Sequence, residues 1–175
     1  ADGAGAALNV RWGEVVSGQV RIFNDALGFL EDSIIRDLPD LSREVIECVQ
    51  GAGLTARRVY MTRFTEGDAQ ETPVLFEDSL MEGFLVDGMD IKATNAPLVI
   101  RRTTFRNADP NNSNADAIDF GPGAGTVERC LIHNFPDKGV SIGGAPGTRI
   151  SDTLFYRCGI GVSAYSSLGL VVVNC

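Results

Sequence analysis

Apolar and polar positions alternate along this chain in short bursts, and the bursts recur. One motif has an apolar residue, four variable residues, a second apolar residue and a polar end. It reads Leu30-Glu-Asp-Ser-Ile-Ile35-Arg-Asp37, then Ala56 to Arg63, Ile100 to Asn107, Val127 to Asn134 and Ile150 to Arg157, and Val172 begins another copy. A second motif lies between these copies and alternates with period two. Its copies are Gln19 to Ile22, Glu44 to Cys48, Asp87 to Ile91, Asp116 to Phe120, Lys138 to Ile142 and Ile160 to Ala164. Its third and fifth residues are mostly apolar and its fourth mostly polar, which predicts a strand with one face buried.

The spacing between the motifs decides the fold. Arg21 to Leu30, Glu47 to Ala56, Asp90 to Ile100, Asp119 to Val127, Ser141 to Ile150 and Ser163 to Val172 are separated by 9, 9, 10, 8, 9 and 9 residues. A chain that returns to the same place each turn holds such a register. The expected fold is all-β, a right-handed parallel β-helix of about six to seven turns with a period near 22 to 26 residues. Stacking would place Met89, Ile118, Val140 and Val162 in one interior ladder. Ile91, Phe120, Ile142 and Ala164 would form the next, with Cys48 on it as a buried free thiol. Cys130 and Cys175 fall two turns apart in one register, too far for a disulfide.

Residues 1–175 read as one domain, with a flexible segment over 1–9 and an incomplete last turn, so a fragment of a longer coil is expected. Two stretches break the repeat and read as loops thrown out from the coil. Over 64–86, Phe76-Glu-Asp-Ser-Leu-Met81 resembles the first motif but has no clear partner. Residues 108–115 form a polar, turn-rich insertion. Pro39 to Glu44 could begin a helical turn, although a strand over Glu44 to Cys48 fits the ladder better.

Composition fits an all-β coil: 20 glycines against 3 methionines and 1 tryptophan suggest many tight turns. A net charge of −8 excludes a duplex nucleic-acid partner, which needs clustered Lys and Arg. No apolar run reaches the length of a membrane span. The four cysteines form no C-x-x-C pair, so a zinc site is not expected. Gly121 to Gly125 and Gly143 to Gly147 read as corners, and His133, the single histidine, as a polar turn residue.

Candidate chemistry gathers on outward positions of the second motif. Asp87, Asp90, Asp116, Asp119 and Asp137 would lie near one another on successive turns, with Lys138 beside them. Carboxylates that close need a cation, a proton or an ammonium between them. Calcium is the candidate cofactor, because it takes several oxygen ligands in flexible geometry. The plainer reading is a solvated acidic face with one salt bridge to Lys138. Asp119 is the surer outward residue. Asp116 is expected at the corner, capping backbone N–H groups.

Asn114-Ala-Asp-Ala-Ile-Asp-Phe120 and Pro136-Asp-Lys-Gly-Val-Ser-Ile-Gly143 together resemble the pectate-lyase and polygalacturonase superfamily of parallel β-helices. The second segment is also similar to β-helix regions of large bacterial surface proteins. Carried over, Asp116 matches the first acid of an Asn-x-Asp-Gly-Ile-Asp strand and Asp137 one acid of the following Gly-Asp-Asp. Lys138 stands in place of the other acid, Gly159 to Tyr165 has no Gly-His-Gly, and no Arg-x-Lys follows. Asp116, Asp137 and Lys138 are therefore the catalytic candidates. The expected function is a non-catalytic module of a secreted, periplasmic or cell-surface protein, serving as scaffold or glycan-binding surface. The alternatives are a lyase or glycoside hydrolase acting on acidic polysaccharide, and a structural subunit of a larger assembly. The expected partners are polysaccharide or other protein subunits.

Overall fold

The computed structural model describes residues 3, 5–38, 44–92 and 97–175, so most of the turn expected over Pro39 to Glu44 lies outside the described residues. The described residues contain no helix. They form a parallel β-solenoid of about seven turns. Accordingly, no helix is long and apolar enough to cross a membrane.

The strands fall into three stacks, and every pairing is parallel. The first stack runs β1 (Ala7–Arg11), the start of β4 (Leu27–Arg36), the start of β6 (Gly53–Phe64), β8 (Val74–Glu77), β11 (Leu98–Arg101), β14 (Thr126–Glu128), β16 (Arg149–Ser151) and β18 (Val171–Val173). The second runs β2 (Glu14–Val16), the ends of β4 and β6, β9 (Leu80–Phe84), β12 (Thr104–Arg106) and the starts of β15 (Leu131–Gly143) and β17 (Leu154–Tyr165). The third runs β3 (Val20–Ile22), β5 (Ile46–Cys48), β7 (Gly67–Gln70), β10 (Met89–Lys92), β13 (Ile118–Phe120) and the ends of β15 and β17.

The ladders stand in the register the motifs predict. Met89, Ile118, Val140 and Val162 are successive partners, as are Ile91, Phe120, Ile142 and Ala164. Cys48 is fully buried on the second of these, where loss of hydration pushes its thiol up to about 12. No coil can bury its apolar side alone. Stacking supplies the missing partner and brings Phe64, Phe76, Phe84, Phe105 and Phe120 out of water together.

Residues 64–86 are not a loop thrown out from the coil. They supply a full turn of it, with Phe76 in the ladder between Ala56 and Ile100, and β7 as the missing partner strand. Gly67 and Ala69 occupy that strand's inward positions and pair with Met89 and Ile91. A Cβ on Gly67 would lie 2.7 Å from the sulfur of Met89, so the neighbouring methionine fills the space a larger side chain would take. With two small residues inward, hydrophobic alternation disappears from the sequence while the strand remains.

The corners between the first and second stacks are left-handed. Asp32, Arg58, Asp78, Arg102, Arg129, Asp152 and Asn174 all have φ between 48° and 54° and stand in register. Such a conformation costs a non-glycine residue about 1–2 kcal/mol. Cross-turn ion pairs offset part of this. Arg58 grips Asp32 through two bonds of 2.5 and 2.8 Å, and Arg102 grips Asp78 at 2.7 and 2.8 Å. Val59 follows Arg58 and has no side-chain donor, but the residue after each of the other six corners donates to the carbonyl two residues back. Ser33, Ser79, Thr103 and Thr153 do so through hydroxyls, and Cys130 and Cys175 through thiols. Thr153 stands between Cys130 and Cys175 in register, and both thiols are free.

Candidate functional site

The third stack carries the acidic residues. Its outward column reads Arg21, Glu47, Asp68, Asp90, Asp119, Ser141 and Ser163, each the register partner of the next. The alternation that sends Met89 and Ile91 inward sends Asp90 outward. Arg21 bonds Glu47 at 2.8 Å, Gln70 donates to Asp68 Oδ2 at 2.7 Å, and Lys92 donates to Asp90 Oδ2.

The first residue of each second motif has the wrong parity to face out, and the chain solves this with a cap. Asp87 Oδ1 accepts from the N–H of Asp116 at 2.8 Å, and Asp116 Oδ1 accepts from the N–H of Lys138 at 3.0 Å. Each aspartate thus closes the corner of the coil beside it, which is the role expected of Asp116. Close approach of the backbones there depends on Gly88. A Cβ on that residue would stand 2.4 Å from the carbonyl oxygen of Ala117 and 2.9 Å from the Phe105 ring.

Of the five aspartates expected on one surface, four fall into two neighbouring groups. In the first, carboxylate oxygens of Asp87 and Asp90 lie within 4.8 Å of each other and of a Glu66 oxygen. In the second, the Lys138 ammonium sits between Asp116 Oδ2, at 3.3 Å, and the carboxylate of Asp137. Asp119 belongs to neither: it is the register partner of Asp90 on the next coil and is hydrogen-bonded to Ser141. Glu66 went unread because it lies in the turn whose second motif was hidden by Gly67 and Ala69.

Electrostatics separate the groups further. Burial pushes Asp87 up to about 7, with the charges of Asp116, Asp119 and Glu66 adding to the shift. Burial also raises Glu66 to about 6, helped by Asp90, Asp68 and Glu44. Asp68, Asp116 and Asp119 are raised as well, again chiefly by burial. For Lys138, burial pulls the other way, but the hydrogen bond to Asp137 and the charge of Asp116 outweigh it and hold the ammonium above its ordinary value.

Chemically, the Lys138 group is a closed ion triad. A protonated lysine held by two carboxylates is a poor general base at neutral pH. The Asp116 oxygen that caps Lys138 N–H is committed to the fold. The Glu66–Asp87–Asp90 group is the opposite case: three carboxylates converge and the one nearby ammonium, Lys92, bonds only Asp90 among them. It is the arrangement among the described residues that could hold a metal ion. His133 lies far along the chain from it, half-buried in β15 between Arg106 and Tyr156 in register. Comparison with protein-family models, with curated proteins and with solved structures finds no match to this chain.

Proposed function

We propose that this chain is a non-catalytic β-helix module of a secreted, periplasmic or surface-associated protein, acting as a rigid scaffold or glycan-binding surface. The observation that carries this reading is the state of the catalytic candidates. Lys138 Nζ is bonded to both Asp116 and Asp137, and Asp116 also caps the backbone. Glycoside hydrolysis needs one carboxyl group free to give a proton and another free to act as base or nucleophile. A lyase needs a base able to take the α-proton beside the uronate. Neither pair is free here. The cross-turn ion pairs on the corners support the scaffold role, since they tie successive coils together along the axis.

The test is incubation of the full chain with neutral and uronate polysaccharides, with and without calcium. Reducing ends and unsaturated products are measured, and binding to the same glycans is followed in parallel. No turnover is expected, with or without glycan binding. Turnover that disappears in Asp116→Asn would overturn the reading in favour of a lyase or hydrolase on acidic polysaccharide.

A further inference from the structure

Three buried side-chain oxygens in or just before the third stack have no hydrogen-bond partner: Thr65 Oγ1, Asp68 Oδ1 and Asp90 Oδ1. Their residues are 7%, 7% and 9% exposed. An unpaired buried carboxylate oxygen is costly, and folded proteins rarely leave one without a partner. Three within two adjacent coils, beside a triad of converging carboxylates, call for a single cause.

The bonds these residues do make narrow it. Asp68 gives Oδ2 to Gln70 and Asp90 gives Oδ2 to Lys92, so in each the free oxygen is Oδ1. Asp90 belongs to the group whose carboxylate oxygens, with those of Glu66 and Asp87, all lie within 4.8 Å of one another. Asp68 is the register partner of Asp90 on the adjacent coil, and Thr65 immediately precedes Glu66.

We propose that Glu66, Asp87 and Asp90 form a divalent-cation site across two coils of the solenoid, with Asp68 and Thr65 as the neighbouring oxygens, and that its ion is Ca²⁺. The ligand set is all oxygen with no cysteine or histidine, which selects hard cations over zinc or copper. Ca²⁺ binds oxygens at about 2.3–2.6 Å, so its shell accommodates ligand atoms up to roughly 5 Å apart. The 4.8 Å limit on the Glu66, Asp87 and Asp90 oxygens falls inside that span. Mg²⁺ prefers a tighter octahedron and keeps most of its water, so it makes less use of several carboxylates at once. The ion would bridge coils that the backbone already pairs through β7 and β10.

Calorimetric titration of the chelator-treated full chain with CaCl₂ at pH 8 tests this, with MgCl₂ in parallel. Saturable binding of one Ca²⁺ per chain is expected, tighter than Mg²⁺. Asp90→Asn and Glu66→Gln should each weaken it by roughly tenfold or more, since each removes a charged ligand. Asp137→Asn, in the neighbouring triad, should leave it unchanged. Circular dichroism confirms that each variant is folded, and both ligand variants are expected to fold because they relieve repulsion between like charges. Absence of saturable Ca²⁺ binding would overturn the proposal. So would binding that survives both Asp90→Asn and Glu66→Gln, or that is lost in Asp137→Asn.

Discussion

Replacing Ile118 measures how far the interior ladder holds the coil together. Its side chain is fully buried, with Met89 and Val140 as register partners on either side. Ile118→Ala removes three carbon groups, worth about 2.4 kcal/mol at ~0.8 kcal/mol each. The cavity left behind adds to this, because two pleated neighbours fixed by backbone pairing cannot close over it, and the total comes to about 3–4 kcal/mol. Ile118→Asp adds a carboxylate with no partner in an apolar interior, so its cost should exceed about 4 kcal/mol. For a chain of this size each 1 kcal/mol lowers the melting temperature by roughly 2–4 °C, so the alanine variant should melt about 6–16 °C lower. Ser163→Asp is the control: it sits on the outward column of the same stack and is half-exposed. It should change stability by about 0.5 kcal/mol or less. Thermal melts by circular dichroism decide. Equal losses in Ile118→Asp and Ser163→Asp would show that the register is wrong by one residue.

Three further outcomes are expected. Asp87 and Glu66 titrate near 7 and 6 in the folded protein against about 4 unfolded, so the folded state holds protons the unfolded state has released; without divalent ions, stability should fall as pH rises from about 4 to 7, and Asp87→Asn should flatten that fall. Chemical denaturation at a series of pH values reads this directly, and a stability that climbs over the same window would contradict it. Arg129 is exposed at φ 54° with no ion pair among the described residues, so Arg129→Gly should raise stability by a few tenths to about 1 kcal/mol; a loss in denaturant midpoint would mean that the corner is not left-handed. Gly88→Ala should destabilise by about 2 kcal/mol or more, because backbone and ring both block the new methyl group, and an unchanged melting temperature would show that these coils are further apart than described.

Much of the coil was legible because the strands repeat on a side-chain period of two and the coils on a nearly constant spacing. Any residue that supplies an inward hydrophobe, from Ile46 to Val162, betrays its ladder position. The signal failed where the inward residues are small. Gly67 and Ala69 satisfy the geometry by letting Met89 lean into their space, which no alternation pattern records. That same gap hid Glu66 and Asp68, and with them the convergence of carboxylates on Asp87 and Asp90. The capping role of Asp116 was legible from parity alone, since an odd position cannot share a face with an even one. The left-handed corners were not legible: arginine at 58, 102 and 129 gives no hint of positive φ, and only the first two are held by a neighbouring acid, Asp32 and Asp78.

Distances between corner residues test the solenoid most directly. Asp32, Arg58, Asp78, Arg102, Arg129 and Asp152 occupy one column on successive coils. With coils about 4.8 Å apart, Asp32 and Asp152 should lie roughly 24 Å apart and Asp32 and Arg102 roughly 14 Å apart. Spin labels at these sites, in a background where Cys158 and Cys175 are replaced by serine, allow both separations to be read by pulsed electron resonance. A narrow distribution for each pair, with the distance growing in proportion to the number of coils between the labels, is the expected result. Broad distributions, or a pair separated by five coils no further apart than one separated by three, would contradict the parallel stack.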